Sequence, residues 1–152
     1  TRSPLGSRGL GDVYKRQVGR IMRSVENYQR LIDLVPSPVN GITLCQGNFT
    51  LMTDDLPGVI RHFGEQDKIF FVHFRDVDGD IDHFVEAFHD EGKTDMLACM
   101  RAYRDIGFEG VLRPDHVPTM MGDDNNRPGY SSIGRLFAIG YIQGLREAVY
   151  SE

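Results

Sequence analysis

Three residues able to bind a divalent cation recur at comparable places along the chain: Cys45, His73 and Asp115. Each closes or directly follows a short β-prone run. Ile42-Thr43-Leu44 precedes the cysteine, Ile69-Phe70-Phe71-Val72 the histidine, and Gly110-Val111-Leu112-Arg113-Pro114 the aspartate. A thiolate, an imidazole and a carboxylate form a mixed donor set that suits a borderline ion such as Mn²⁺, Fe²⁺, Co²⁺ or Zn²⁺, whereas a hard Mg²⁺ rarely takes thiolate. The three lie far apart in sequence, unlike a zinc finger, and suit a site assembled from separate strands. Taken singly, each has a plainer role. A cysteine at a strand end is often only a small buried hydrophobe, a histidine after an apolar run a structural hydrogen-bonding residue, and an aspartate after proline a turn cap. The recurrence at three successive strand ends is what points to a metal. Arg75 stands two positions past His73, on the same side of an extended segment, and His116 follows Asp115 directly. Cys99 falls on the apolar stripe of a helix and reads as core, while His62 and His83 read as solvated.

The elements that must position these groups follow from the hydrophobic period. Ser24 can cap a helix with Val25, Tyr28, Leu31, Ile32 and Val35 on one stripe, stopped by Pro36 and Pro38. A strand ending at Cys45 is broken by Gly47-Asn48. Asp54 or Asp55 caps a second helix with Leu56, Val59, Ile60 and Phe63 facing inward. Residues 69–74 are almost continuously apolar, the mark of a strand buried on both faces of a parallel sheet. After a polar stretch, 75–93, in which Phe84–Phe88 could form a short fourth strand, Thr94 or Asp95 caps a third helix with the stripe Met96, Cys99, Met100, Tyr103 and Ile106. A third strand at 110–113 and a loop at 115–129 lead to a last helix capped by Ser131 or Ser132, with Ile133, Leu136, Phe137, Ile139, Gly140 and Leu145 available for packing. The order α-β-α-β-α-β-α with short connections specifies a parallel α/β fold with right-handed crossovers, part of a doubly wound sheet or of a (β/α)8 barrel. In both, sites assemble at the carboxyl ends of the strands.

The chain has 152 residues, a formal net charge of -5 and 40% hydrophobic residues, a globular composition that fits one domain. The 17 Lys and Arg are scattered, so the acidic balance argues against nucleic acid. No apolar run reaches membrane-span length and no secretory h-region opens the chain. With two cysteines the expectation is reduced thiols in a cytoplasm. Neither G-x-G-x-x-G nor G-x-x-x-x-G-K-[ST] occurs, which leaves nucleotide binding unsupported. Residues 1–17, rich in Gly and basic residues and without apolar period, read as a non-native or disordered leader ahead of a single domain at 18–152.

From about Gly19 to Ala148 the chain resembles the mannonate dehydratase family, of the xylose-isomerase-like barrel superfamily. The resemblance is carried by Pro-Ser-Pro-Val-Asn-Gly-Ile-Thr-Leu-Cys-Gln-Gly-Asn at 36–48, Phe-Val-His-Phe-Arg-Asp-Val at 71–77 and Arg-Pro-Asp-His at 113–116. Pro-Gly-Tyr at 128–130 and Ile-Gly-Arg-Leu at 133–136 complete it. It implies the C-terminal portion of a (β/α)8 TIM barrel, three to four parallel strands with flanking helices. It also implies dehydration of D-mannonate to 2-keto-3-deoxy-D-gluconate in hexuronate breakdown, in a protein that is homo-oligomeric at full length.

What the resemblance implies for single residues is specific. Cys45, His73 and Asp115 match three ligands of a divalent ion, commonly Mn²⁺ or Fe²⁺. His116 and Tyr130 match the catalytic His and Tyr, the expected proton-transfer pair. Arg75 is expected to hold the substrate carboxylate as a bidentate partner, and Asn48 to bind substrate. Glu86 and His89 match a Glu-x-x-His element and are expected to meet sugar hydroxyls. The family's fourth ligand, a His on an earlier strand, has no counterpart, because residues 1–44 contain no His. The chain therefore reads as the second half of a barrel. Taken alone, it is expected to bind metal poorly and to show little or no turnover.

Overall fold

The computed structural model describes residues 21–124, 126 and 128–152. The expected leader at 1–17 lies outside them. Among the described residues ten elements follow in order: α1 (Val25–Leu34), β1 (Ile42–Cys45), α2 (Gln46–Thr50), α3 (Leu56–Gly64), β2 (Ile69–His73), β3 (Asp76–Gly79), β4 (Phe84–Ala87), α4 (Met96–Asp105), β5 (Val111–Arg113) and α5 (Ser132–Tyr150). β1, β2 and β5 form a parallel sheet in the order β1-β2-β5. Each connection carries a helix, because parallel neighbours cannot be joined by a tight turn. β3 and β4 form a separate antiparallel ribbon, so the optional fourth strand at 84–88 exists but lies outside the parallel sheet.

Capping side chains start three helices where the sequence places them. Ser24 accepts from Asn27 N–H, Asp55 from Gly58 N–H and Asp95 from Ala98 N–H, each satisfying one of the orphan donors of a first turn. α5 departs from this. The Ser131 hydroxyl donates to the Asp124 carbonyl, and the Asp123 carboxylate takes the Ile133 and Gly134 N–H groups at 2.7 and 3.1 Å. A residue ten positions upstream therefore caps the helix, which no local pattern announces.

The core gathers Leu44, Phe49, Ile60, Phe63, Val72, Phe74, Cys99 and Tyr103 between the sheet and α3 and α4. Leu56, Val59, Ile60 and Phe63 face inward as the period requires, as do Met96, Cys99, Met100 and Tyr103. Elsewhere the stripes are narrower than expected. Leu31 on α1 and Val35 just past its end are exposed, as are Ile133, Leu136 and Ile139 on α5, which buries Gly134, Ala138, Ile142 and Val149 instead. β2 is less covered than its apolar run suggests: Ile69 and Val72 are buried, whereas Phe70, skipped where the register with β1 shifts, remains 45% exposed. Gly47-Asn48 does not simply end β1, because both lie within the one-turn helix α2.

Candidate metal centre and adjoining proton-transfer pair

Strand register builds the site. Cys45 pairs with His73 across β1 and β2, and His73 pairs with Arg113 across β2 and β5. Asp115 follows two residues beyond Arg113, so all three potential ligands come to the carboxyl edge of adjacent strands. One ligand atom from each of Cys45, His73 and Asp115 lies within 4.8 Å of the others. His73 Nδ1 stands 3.5 Å from Asp115 Oδ2, and Asp115 Oδ1 accepts from Arg113 Nη2 at 2.9 Å. Cys45 and Asp115 are buried and His73 half-buried, with the His73 ring edge-on to Phe71.

The electrostatics suit ligation of a cation. Burial lowers the His73 pKa, against the pull of the Asp115 charge, so the ring is held in the neutral form that offers a lone pair. Burial likewise raises the Cys45 pKa, with Arg75 drawing it partly back. A thiol so placed needs a bound cation to lose its proton, since the thiolate is the ligand. A soft sulfur, a neutral nitrogen and a hard oxygen converging from three strands fit a borderline divalent ion. Cys99, by contrast, is fully buried and its thiol pKa is pushed up to about 12, first by burial.

Beside this triad lies a second cluster. Arg75 is buried, and its Nη1 donates to Glu86 Oε1 at 2.6 Å and stands 2.8 Å from His116 Nδ1. Its Nη2 donates to Asn48 Oδ1 at 3.2 Å. Gly47 makes room: a Cβ there would stand 2.5 Å from Arg75 Nε. His116 Nε2 and the Tyr130 hydroxyl are 2.8 Å apart, their rings edge-to-face, and Arg135 lies over the Tyr130 ring. The loop between them is tied by Val117 N–H to the Gly129 carbonyl. Gly129, at φ +84°, turns closely past the His116 ring, a conformation that favours glycine.

Cys45, His73, Asp115, Arg75, Asn48, Glu86, His116 and Tyr130 are thus brought together at one edge. His89 is not. It is fully buried, its Nε2 2.6 Å from the Phe74 carbonyl and its ring near those of Phe74 and Tyr141. β4 ends at Ala87 and a turn closes from Phe88 to Glu91, so Glu86 and His89 part instead of acting as a pair, and the expected contact of His89 with a sugar hydroxyl has no route. Arg75, too, is already occupied by Glu86, Asn48 and His116 rather than open as a carboxylate clamp. Arg113 and Asp123 were not singled out by sequence, and Gly47 was read only as a strand breaker. Arg113 and Gly47 carried a signal, their places in Arg-Pro-Asp-His and Cys-Gln-Gly-Asn; Asp123 carried none. A cavity of about 500 Å³ lies elsewhere, lined among others by Met100, Phe108, Val111 and Arg146, and none of the cluster residues lines it.

Residues 15–152 match the sequence model described as D-mannonate dehydratase (UxuA). The chain belongs to the D-mannonate dehydratase family. It is 41% identical over 136 residues to mannonate dehydratase 2 of Halalkalibacterium halodurans, covering 87% of this chain and 39% of the relative. It is 43% identical over 133 residues to the mannonate dehydratase of Enterococcus faecalis, covering 85% and 36%. The crystal structure of mannonate dehydratase from Streptococcus suis serotype 2 superposes with a TM-score of 0.81 at 32% identity, over 87% of this chain and 39% of that one. A xylose isomerase domain protein from Planctomyces limnophilus shares the fold, with a TM-score of 0.64 at 17% identity over 84% and 45% of the two chains. The parallel sheet with its helices is therefore the barrel portion expected. The chain spans less than two fifths of the curated relatives' length.

Proposed function

We propose that this chain supplies one side of an active site that dehydrates D-mannonate to 2-keto-3-deoxy-D-gluconate and water, a carbon–oxygen lyase of hexuronate breakdown. The observation that carries the reading is the convergence of the Cys45, His73 and Asp115 donors within 4.8 Å, next to a hydrogen-bonded His116–Tyr130 pair. Cys45, His73 and Asp115 would hold a divalent ion, for which Mn²⁺ or Fe²⁺ is the family's expectation. When bound, the ion supplies positive charge that stabilises the anion formed as the C2 proton leaves.

The rest of the chemistry falls to side chains. Dehydration needs a base for the C2 proton and an acid for the departing C3 hydroxyl. His116 and Tyr130 are the pair in reach of each other, and Tyr130, 43% exposed, presents its hydroxyl at the open side. Glu86 and Asn48 steady Arg75 beneath them. The protein would work on a free sugar acid in the cytoplasm, as part of a homo-oligomer. Among the described residues no helix is long and apolar enough to cross a membrane.

The test joins this chain to the N-terminal part of the Enterococcus faecalis relative that it does not span, and assays Mn²⁺-supplemented protein with D-mannonate. We expect 2-keto acid from the fusion, little from this chain alone, and a fall of about 10²–10⁴-fold with Tyr130→Phe. Ketose in place of 2-keto acid would overturn the reading in favour of a sugar isomerase of the same fold. Unaltered turnover in the Tyr130→Phe fusion would show the site to be misassigned.

A further inference from the structure

The nitrogen of His116 that does not face Tyr130 lies between a group that can only donate and a group that can only accept. Arg75 Nη1 is 2.8 Å from His116 Nδ1, whereas Glu86 Oε1 is 3.4 Å away. A guanidinium has no acceptor and keeps its charge in proteins, so at 2.8 Å the imidazole must offer Nδ1 as a bare lone pair. The longer contact with Glu86 lies beyond the usual range of an N–H···O bond. Glu86 instead accepts from Arg75 Nη1 at 2.6 Å and, with Asn48, aims the guanidinium at the ring. The arginine cannot easily swing aside. It is buried, and Gly47 lies against Nε so closely that even a methyl group would crowd it.

We propose that Arg75, aimed by Glu86, is a positioning residue that locks His116 in the tautomer with its hydrogen on Nε2. His116 is then a fixed donor toward the Tyr130 oxygen, 2.8 Å away. The hydroxyl hydrogen of Tyr130 is turned out of the pair toward the open side, where the departing C3 hydroxyl can receive it, leaving a tyrosinate that the His116 Nε2–H stabilises and that takes the C2 proton in turn. Arg75 thereby acts through the histidine rather than as the clamp on a substrate carboxylate. Glu86 sets the tautomer at one remove, instead of meeting sugar hydroxyls itself. Without the arginine the preference reverses: Nδ1 takes the hydrogen, turns it to the vacated Glu86 carboxylate, and Nε2 becomes an acceptor for Tyr130.

The meaning for catalysis rests on His116 and Tyr130 being the working pair, but the lock itself is read without turnover. Long-range ¹H–¹⁵N spectra of the whole chain labelled with ¹⁵N-histidine, at neutral pH, distinguish a bare ring nitrogen from one carrying hydrogen. The His116 signals are identified by their loss in His116→Asn. The expected result is a bare Nδ1 and a hydrogen-bearing Nε2 in the unaltered chain and in Arg75→Lys, which keeps a donor-only cation, and the reverse in Arg75→Met. A hydrogen on Nδ1 in the unaltered chain, or the two tautomers averaged, would overturn the lock. So would an unchanged pattern in a folded Arg75→Met chain. Should that variant fail to fold, the unaltered chain and Arg75→Lys decide. A locked His116 in a fusion that yields no 2-keto acid would uphold this inference while sinking the dehydratase reading.

Discussion

His89 shows how far a side chain's chemistry depends on which way the backbone turns beneath it. Its Nε2 faces the Phe74 carbonyl, an acceptor, so that nitrogen carries the hydrogen and Nδ1 is the one without a partner in the interior. A second proton would have to arrive on Nδ1, and burial accordingly lowers the His89 pKa below the ordinary imidazole value, against the carbonyl that favours the charged ring. At acid pH the unfolded chain binds a proton that the folded chain resists. Stability is therefore unaffected by this group above about pH 6.5 and is lost as pH falls from there toward the lowered folded value. We expect the urea midpoint to drop between about pH 7.5 and about pH 5.5, and to drop less in His89→Gln. Equal drops in the two proteins would remove His89 as the cause. Sequence placed this histidine beside Glu86 because the two share a motif. The turn after Ala87 separates them, and no residue type in Phe-His-Asp-Glu announces its direction. Cys45, His73 and Asp115 were legible for the opposite reason: each sits at the end of a strand whose apolar run fixes its place, and parallel register does the rest.

At the scale of elements, the caps are the most readable feature and also the easiest to test. Asp95 accepts from Ala98 N–H at 2.9 Å at the start of α4, the helix whose Cys99, Met100 and Tyr103 fill the core. Asp95→Ala should destabilise the chain by about 1 kcal/mol, read as a lower urea midpoint, with Asp95→Ser recovering most of the loss. A loss absent from Asp95→Ala would mean that core packing alone holds α4. Helices α1, α3 and α4 could be read because a cap and a stripe within ten residues determine each of them. α5 could not. Its cap is Asp123, reached through a loop, and its apolar residues face outward at Ile133, Leu136 and Ile139. Strand β3 was hidden for a similar reason. Asp76-Val77-Asp78-Gly79 lacks the β-branched and aromatic run that marks a strand, and it is held by pairing with 84–87 rather than by its own propensity.

For the molecule as a whole, the parallel sheet has β1 and β5 at its borders among the described residues. Val111 on β5 is 59% exposed. An apolar border strand with free peptide groups is a template for another strand. The chain should therefore self-associate as its concentration rises, and Val111→Lys should shift it toward monomer in sedimentation velocity runs. Equal sedimentation of both proteins over the same concentration range would place any association elsewhere. The barrel portion was legible at this scale because alternation of β and α leaves few arrangements. The burial of β2 was misjudged for want of knowing its neighbours: the continuous run 69–74 reads as covered on both faces, yet Phe70 stands open.

The excursion between β2 and α4 is fastened at its root. The Asp76 carboxylate accepts from its own neighbour Val77 N–H and from Thr94 N–H, and Lys93 N–H meets the Val77 carbonyl. The ribbon between those points projects from a clasp whose two sides are already joined, while Phe88 and His89 fold back against Phe137, Phe74 and Tyr141. Such a segment behaves as an exchangeable cassette. The ribbon's length and tip can change without altering the approach of β2 or the departure of α4, as long as Asp76 and Thr94 keep their grip and His89 keeps its buried place. The floor that holds Cys45, His73 and Asp115 is thus insulated from variation at the tip of the ribbon, and a designer could graft a different tip above an unchanged triad.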